Sequence, residues 1–145
     1  MPRNVPDLTA EELIAELNND LAKEFSALVQ YVQHAAVITG AKYDAISKEL
    51  LVHATEEHGH AVSLAQQISF LGGKPGTAVD TVHVSDDSTV MLEQDLAGEL
   101  DAIERYKTRI AQAEMLGEYG LRRALEDILI MEEEHARDLQ SSLGR

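Results

Sequence analysis

The chain has 145 residues, enough for one compact domain with a substantial core, and we expect a single domain over residues 1–145. Cysteine is absent, which excludes disulfides, thiolate-bound zinc and iron–sulfur clusters, so any bound iron must use oxygen and nitrogen ligands. The net charge of −14 argues against nucleic-acid binding, because such binding depends on Lys and Arg to neutralise phosphates.

The first two helices are predicted from their start and stop signals. Thr9 and Glu12 form a capping box, and the helix that they open runs to about residues 39–40. The second helix runs from about residue 44 to 71, where a Gly-Gly-Lys-Pro cluster ends it. Residues 72–88 are predicted to be irregular, although a short Val/Thr-rich strand around residues 82–84 would fit.

The second half of the chain also contains two predicted helices. The third runs from about residues 87–89 to 116–117, and the fourth from about 118–121 to 143–144. The short connections make antiparallel helix pairs, and the long middle connection can place helix 3 parallel to helix 2. We therefore expect an all-α fold, an antiparallel four-helix bundle with a long crossover between helices 2 and 3.

One pattern of acidic residues and histidines occurs twice. It consists of a glutamate that is followed 33 residues later by Glu-x-x-His. Its members are Glu24, Glu57 and His60 in the first half and Glu99, Glu132 and His135 in the second. These positions interrupt helical stripes that are otherwise apolar and should face the core. The alternative, two pairs of solvated surface residues, does not explain why both pairs lie on apolar stripes at equal spacing.

Four buried glutamates need positive charge beside them, because an unpartnered carboxylate is costly to desolvate. The stripes offer no Lys or Arg, whereas two divalent cations balance the four charges with both histidines neutral. Residues three apart share a helix face, so each Glu-x-x-His pair can reach a common ion, and this ligand type suits iron or manganese. The sequence therefore predicts a site for two metal ions. Without metal, the crowded carboxylates should have raised pKa values.

Two tyrosines and two aspartates repeat with the same symmetry. Tyr31 and Tyr106 follow the single glutamates by seven residues, and Asp20 and Asp95 precede them by four. The tyrosines are either core aromatics or hydroxyl donors to ligand carboxylates. The aspartates can orient the Nδ1–H groups of the histidines, although Asp20 can equally be an exposed residue of the first helix.

Among the other histidines, His53 lies on a predicted core stripe, one turn before Glu57. It is either a hydrogen-bonded core histidine or an additional ligand or iron-entry residue. His34, His58 and His83 receive no metal role.

At these residues the chain resembles the ferritin-like di-iron superfamily, and bacterioferritin most closely. The likeness covers nearly the whole chain and includes Glu24-Phe-Ser-Ala-Leu-Val-Gln-Tyr31, Ile68-x-Phe70-Leu71-x-Gly73-x-Pro75, Asp95-Leu-Ala-x-Glu99 and Glu132-Glu-Glu-His135. The resemblance implies that Glu24 and Glu99 are terminal ligands and that Glu57 and Glu132 bridge the metals. It also implies that His60 and His135 complete one ion each.

Two features depart from bacterioferritin. His58 stands where that family has its haem-ligating methionine, which argues against haem bound between subunits. The chain runs ten residues beyond His135, too few for the fifth helix that lines the channels of the large storage cages. We therefore expect a homo-oligomer, at least a dimer, that is smaller than such a cage.

The resemblance implies a ferroxidase-type activity, the oxidation of Fe(II) by O₂ or peroxide at two irons per chain, in iron storage, homeostasis or detoxification. The rival function is a non-storage di-iron or di-manganese oxidoreductase that scavenges peroxide or oxidises an organic substrate, and it predicts a substrate-sized pocket beside the metals. A third alternative is a bundle that binds metal without catalysis.

The expected location is the cytoplasm. No apolar run approaches the roughly 18 residues of a membrane span. Residues 1–6 contain two prolines and no hydrophobic stretch that would serve as a secretory signal.

Overall fold

The computed structural model describes residues 2–145, and Met1, the first residue of the expected domain, lies outside the described residues. Its four long helices are α1 (Ala10–Val37), α2 (Asp44–Phe70), α3 (Ser88–Met115) and α4 (Tyr119–Ser142), and a single 3₁₀ turn, Ala41–Tyr43, leads into α2. The predicted all-α four-helix bundle is confirmed. Within residues 2–145 there is no β-strand, so the strand considered around residues 82–84 is wrong.

Local signals account for where the helices begin and end. The predicted capping box is present, since the Thr9 side chain accepts from the Glu12 amide at 3.1 Å and the Glu12 side chain accepts from the Thr9 amide at 3.1 Å. Helix α1 ends at Val37, slightly before the predicted stop, because Ile38 already has extended backbone angles. The turn that follows uses Gly40 at φ 108°, a conformation that favours glycine.

The crossover between α2 and α3 lies along α1. Its contacts follow the order of α1: Gly76 with Asn18, Thr81 with Ser26, His83 with Gln30, and Ser88 with Thr39. The crossover therefore runs parallel to α1 and starts α3 at the end where α1 finishes. Its backbone pairs with side chains of α1, which explains why no strand forms. Helix α3 is consequently antiparallel to α1 and parallel to α2, as predicted.

The buried apolar side chains form two clusters with a polar layer between them. Along α2, one cluster ends at Ala54 and the other begins at Ala61, so Glu57 falls between them. Along α1, Glu24 likewise lies between Leu21 of one cluster and Tyr31 of the other. The two apolar clusters thus leave a buried polar layer between them, and Glu24 and Glu57 lie in it. No helix within residues 2–145 has an apolar stretch long enough to cross a bilayer.

Candidate metal centre

The six predicted ligands meet in this polar layer, and none is more than 7% exposed. Their donor atoms form two groups, in each of which one atom per residue lies within 4.8 Å of all the others. One group is Glu24, Glu57, His60 and Glu132, and the other is Glu57, Glu99, Glu132 and His135. Glu57 and Glu132 belong to both groups. The geometry therefore offers two adjacent cation positions that share two carboxylates.

Each histidine turns Nδ1 toward the carboxylates. His60 Nδ1 lies 3.2 Å from a Glu132 oxygen and 3.6 Å from oxygens of Glu24 and Glu57. His135 Nδ1 lies 2.9 Å from Glu57, 3.3 Å from Glu99 and 3.6 Å from Glu132. The two halves of the chain thus contribute equivalent ends of one site.

Several buried atoms at this site have no hydrogen-bond partner. They are Glu24 Oε2, both carboxylate oxygens of Glu57, both ring nitrogens of His60, Glu99 Oε2 and Glu132 Oε1. Buried polar atoms are nearly always partnered in folded proteins, so a cluster of orphaned oxygens and nitrogens needs an explanation. Coordination of metal ions would supply one, and an all-oxygen-and-nitrogen donor set suits iron or manganese. The residues present therefore fit a pair of such ions.

The carboxylates do not share one protonation state. Burial, together with the charges of neighbouring glutamates, raises the pKa of Glu57 and of Glu132 well above the usual range. Burial also acts to raise the pKa of Glu24, but its contacts with Glu57 and His60 and the hydrogen bond from Tyr106 outweigh burial and lower this pKa to about 2. The predicted rise is confirmed for Glu57 and Glu132 and is wrong for Glu24.

Both site histidines have raised pKa values in the metal-free chain. Burial opposes the charged form of His60, but contacts with Glu132, Glu24 and Glu57 raise its pKa well above the usual range. Burial likewise opposes the charged form of His135, and interactions with Glu99 and Glu132 raise its pKa to about 9. In the metal-free chain, protons on the two imidazoles therefore supply positive charge beside the glutamates.

The two tyrosines donate hydrogen bonds across the bundle. Tyr31 of α1 donates to Glu99 of α3 at 2.5 Å, and Tyr106 of α3 donates to Glu24 of α1. Burial, with the nearby carboxylate charges, raises the pKa of both hydroxyls well above the usual range, so they remain donors. Of the two interpretations left open by the sequence, the contacts favour hydroxyl donors that hold Glu24 and Glu99 in place.

Comparison with known proteins shows which family the chain belongs to. Residues 14–145 match the family model of the ferritin-like domain. The chain belongs to the ferritin-like family. It is 30% identical over 133 residues to bacterioferritin of Brucella melitensis, covering 91% of this chain and 83% of that protein. It is 31% identical over 143 residues to the nutrient stress-induced DNA-binding protein of Nostoc sp., covering 91% of this chain and 78% of that protein.

Two solved structures share the whole ferritin-like fold. A ferritin-like diiron-carboxylate protein of Bacillus anthracis has a TM-score of 0.88 at 36% identity, covering 92% of this chain and 96% of that one. The bacterioferritin-related dodecameric thioferritin of Bacteroides fragilis has a TM-score of 0.88 at 31% identity, covering 95% of this chain and 88% of that one. The family and the fold predicted from the sequence are confirmed.

In this ferritin-like chain Asp20 does not orient a histidine. It is fully buried, but its oxygens accept from Arg109 Nε at 2.7 Å and from Arg105 Nη1 at 2.8 Å. The prediction for Asp20 is wrong because these two arginines of α3 face it across the bundle. The guanidinium of Arg105 also lies 5.5 Å from the centre of the Tyr106 ring, so this ion-pair cluster packs behind the tyrosine that holds Glu24.

Asp95 contacts a histidine, but neither of the two in the metal centre. One of its oxygens lies 2.9 Å from His34 Nδ1 and accepts from Gln30 Nε2 at 2.8 Å. His34 Nε2 donates to the His83 carbonyl at 3.0 Å, and the His83 amide donates to Gln30 at 2.9 Å. Asp95 of α3 therefore holds the two α1 side chains, His34 and Gln30, that bind the crossover at His83. The expected contact with His60 or His135 is wrong, because both of those histidines turn Nδ1 toward the glutamates.

Sequence reasoning missed Glu56, which faces the outer nitrogen of His135. Its Oε2 lies 3.4 Å from His135 Nε2, while the matching nitrogen of His60 has no hydrogen-bond partner. In the sequence, Glu56 is notable only as the neighbour of Glu57, and this adjacency does not show that its side chain reaches His135 from α2.

A cavity of about 530 Å³ lies between α1 and α3, covered by the crossover, at the place where the rival function predicts a substrate-sized pocket. Tyr31, Glu24 and Glu99 line its floor, so it opens onto the metal centre. Lys23 and Arg105 lie among its lining residues, and both form ion pairs with Asp101, at 3.6 and 2.7 Å. A small molecule therefore has a defined space beside Glu24 and Glu99.

Proposed function

We propose that the chain binds two iron ions through its six glutamate and histidine ligands and oxidises Fe(II) with O₂ or peroxide, in iron homeostasis, storage or detoxification. One observation carries this proposal: two buried groups of oxygen and nitrogen donors share Glu57 and Glu132. The names of a bacterioferritin and a diiron-carboxylate protein among the similar proteins support iron as the metal.

The side chains around the centre have distinct tasks in this proposal. Bound iron would supply the one-electron chemistry, and Glu57 and Glu132 would serve both ions because each belongs to both donor groups. Glu24 and Glu99 are terminal ligands, held by the tyrosine hydroxyls. The apolar clusters on either side limit water and side reactions.

Anaerobic loading of the metal-free protein with Fe(II), followed by O₂ or peroxide, tests the proposal. We expect oxidation that is complete at the two ligand-bound irons before any further iron is taken up, measured by absorbance and by iron per chain. Glu57→Ala combined with Glu132→Ala should abolish binding, whereas the exposed Glu134→Ala should not. Tight binding in the double variant would show that the ligands are assigned wrongly.

The cavity favours a second candidate function, a non-storage di-iron or di-manganese oxidoreductase. A space of about 530 Å³ beside the terminal glutamates has the size of small-molecule sites. In this case the metal-loaded protein should turn over hydrogen peroxide with a small phenolic reductant and should not accumulate iron beyond the centre.

A substitution inside the cavity separates the two candidate functions. Ala27→Leu fills the space beside the ligands, and Ala45→Leu on the exposed side of α2 is the control. Loss of phenol turnover in Ala27→Leu alone, with iron binding unchanged, would favour the oxidoreductase. Accumulation of ferric mineral without phenol turnover would favour storage.

We further propose that the chain acts as a homo-oligomer, at least a dimer. The dodecameric state named for the Bacteroides fragilis protein supports assembly into a defined oligomer, which mass measurement of the intact protein tests.

We also propose that this chain does not bind nucleic acid, on the basis of its net charge of −14. The name of the Nostoc protein makes a DNA gel-shift assay worthwhile. The cytoplasmic location stays a prediction.

A further inference from the structure

A third group of metal-binding side chains lies outside the six ligands of the centre. Glu49 and His53 are one turn apart on α2, and Asp138 faces them from α4. One donor atom from each lies within 4.8 Å of the other two, and His53 Nε2 is 3.1 Å from Asp138 Oδ2. These distances leave room for one cation between two carboxylates and one imidazole.

Contacts within the protein satisfy this group only in part, since His53 Nε2 faces Asp138 but the other ring nitrogen has no partner. The His53 side chain is fully buried, and its Nδ1 has no hydrogen-bond partner. In residues 2–145 neither Glu49 nor Asp138 forms an ion pair with Lys or Arg. A histidine kept only for packing would be expected to have both ring nitrogens partnered. The arrangement therefore combines two uncompensated carboxylates with an incompletely bonded imidazole.

The group is next to the metal centre but does not belong to the repeated pattern. The His53 and His135 rings stack with centroids 4.0 Å apart and an interplanar angle of 22°. Positions 75 residues away in the other half would be Ala124, Ile128 and Ser63, none of which is a strong metal ligand. The duplication that explains the centre therefore does not explain this cluster.

We propose that Glu49, His53 and Asp138 bind a third divalent cation on the α2–α4 face, separated from the centre by the stacked imidazoles. Two carboxylates and one imidazole suit Mn(II), Fe(II) or Zn(II). Three protein ligands leave coordination positions for water, and the Asp138 side chain is 45% exposed. The cation is therefore held less tightly than those in the buried centre and exchanges with solvent.

The test uses Mn(II) as the probe, because it binds oxygen and nitrogen ligands and persists in air. Equilibrium dialysis at saturating Mn(II) should give one more ion per chain in the wild type than in Glu49→Gln/Asp138→Asn. The matched control is Asp127→Asn/Glu134→Gln, which removes the same charge from exposed positions of α4 and should leave the count unchanged. Anomalous diffraction from a Mn(II)-soaked crystal should place a peak between Glu49, His53 and Asp138.

The outcomes distinguish this site from the centre. Manganese at the six ligands but no peak at the cluster would overturn the third site and leave the proposed function intact. A peak at the cluster without manganese at the six ligands would support the third site and count against the proposed function. An equal loss of ions in the control variant would mean that the ion responds to surface charge, and would also overturn the third site.

Discussion

In the proposed centre, protons and metal ions would compete for the same four residues, His60, His135, Glu57 and Glu132. In the metal-free chain His60 and His135 hold protons more tightly than ordinary histidines, and Glu57 and Glu132 hold them more tightly than ordinary glutamates. Metal ligands must be deprotonated, so each of these protons has to leave when a cation binds. The raised pKa values therefore link metal binding to pH.

The first prediction concerns the stability of the metal-free protein. Because folding raises the pKa values of His60 and His135, the stabilisation by protons on these two histidines is complete below the unfolded histidine pKa of roughly 6.5. It is lost as the pH rises through the folded value, which is about 9 for His135. The unfolding temperature of the metal-free protein should therefore fall between neutral pH and about pH 9. Calorimetry of the metal-loaded protein should show a smaller decrease, and equal pH profiles would contradict the link.

The second prediction concerns Tyr106, whose hydroxyl donates to the buried carboxylate of Glu24. Tyr106→Phe leaves that carboxylate without this donor, which should cost about 1–3 kcal/mol of folding stability in the metal-free protein. The pKa of Glu24 should rise above its value of about 2, because one of the hydrogen bonds that lower it is gone. Denaturant unfolding measures the first effect, and Tyr119→Phe is the control because Tyr119 is 62% exposed.

At the scale of the helices, the end of α2 determines where the crossover begins. Gly72 has φ 90°, and the Gly73 amide donates to the Ile68 carbonyl at 2.9 Å, which closes the helix in a glycine-dependent turn. The turn brings Gly73 against Ile14 of α1. A substitution of Gly73 should therefore disturb the packing of α1 on α2.

The third prediction compares two glycines. A Cβ at position 73 would lie 2.6 Å from Ile14 Cγ2, so Gly73→Ala should destabilise the protein by about 1–3 kcal/mol through overpacking. Gly59 lies within α2, and a Cβ at that position would meet nothing within 4 Å. Gly59→Ala should therefore be stabilising by up to about 1 kcal/mol. Chemical denaturation of both variants measures the difference, and equal midpoints would show that Ile14 moves aside without cost.

The sequence was most informative where a residue is fixed by local spacing. Thr9 and Glu12 cap α1 through neighbouring atoms, and the i, i+3 spacing alone brings Glu57 and His60 to one face. The partners of Asp20 and Asp95 depend instead on how α1 and α3 are rotated against each other, which no local pattern records. The size and lining of the cavity depend on how side chains fill the space between two helices, so the sequence predicted a pocket only as a consequence of the rival function.

At the scale of the whole molecule, the centre joins all four helices. Each helix contributes at least one carboxylate, so a metal ion bound there connects the α1–α2 pair to the α3–α4 pair. In the metal-free state this layer contains orphaned polar atoms and interrupts the apolar core. Metal binding should therefore stabilise the entire bundle.

The fourth prediction is that Mn(II) or Fe(II) added without oxygen raises the unfolding temperature. Ligand at one hundred times its dissociation constant adds about 2.7 kcal/mol to the stability of a protein that binds it only when folded. Most of the shift should be lost in Glu57→Gln/Glu132→Gln, in which both shared carboxylates are neutral and only the weaker site at Glu49, His53 and Asp138 remains. It should persist in Glu134→Gln, and a shift of the same size in both variants would place the stabilising metal elsewhere.

The two histidines of the centre, His60 and His135, have different surroundings. The ring of His135 has the imidazole of His53 stacked on it and Glu56 at its outer nitrogen. At the position equivalent to His53, the other half of the chain has Ile128, which is 3% exposed. An ion leaving the His135 position would meet further ligands, whereas one leaving the His60 position would meet hydrocarbon on that side. The two ions should therefore exchange with solvent at different rates, although each would be held by three glutamates and one histidine.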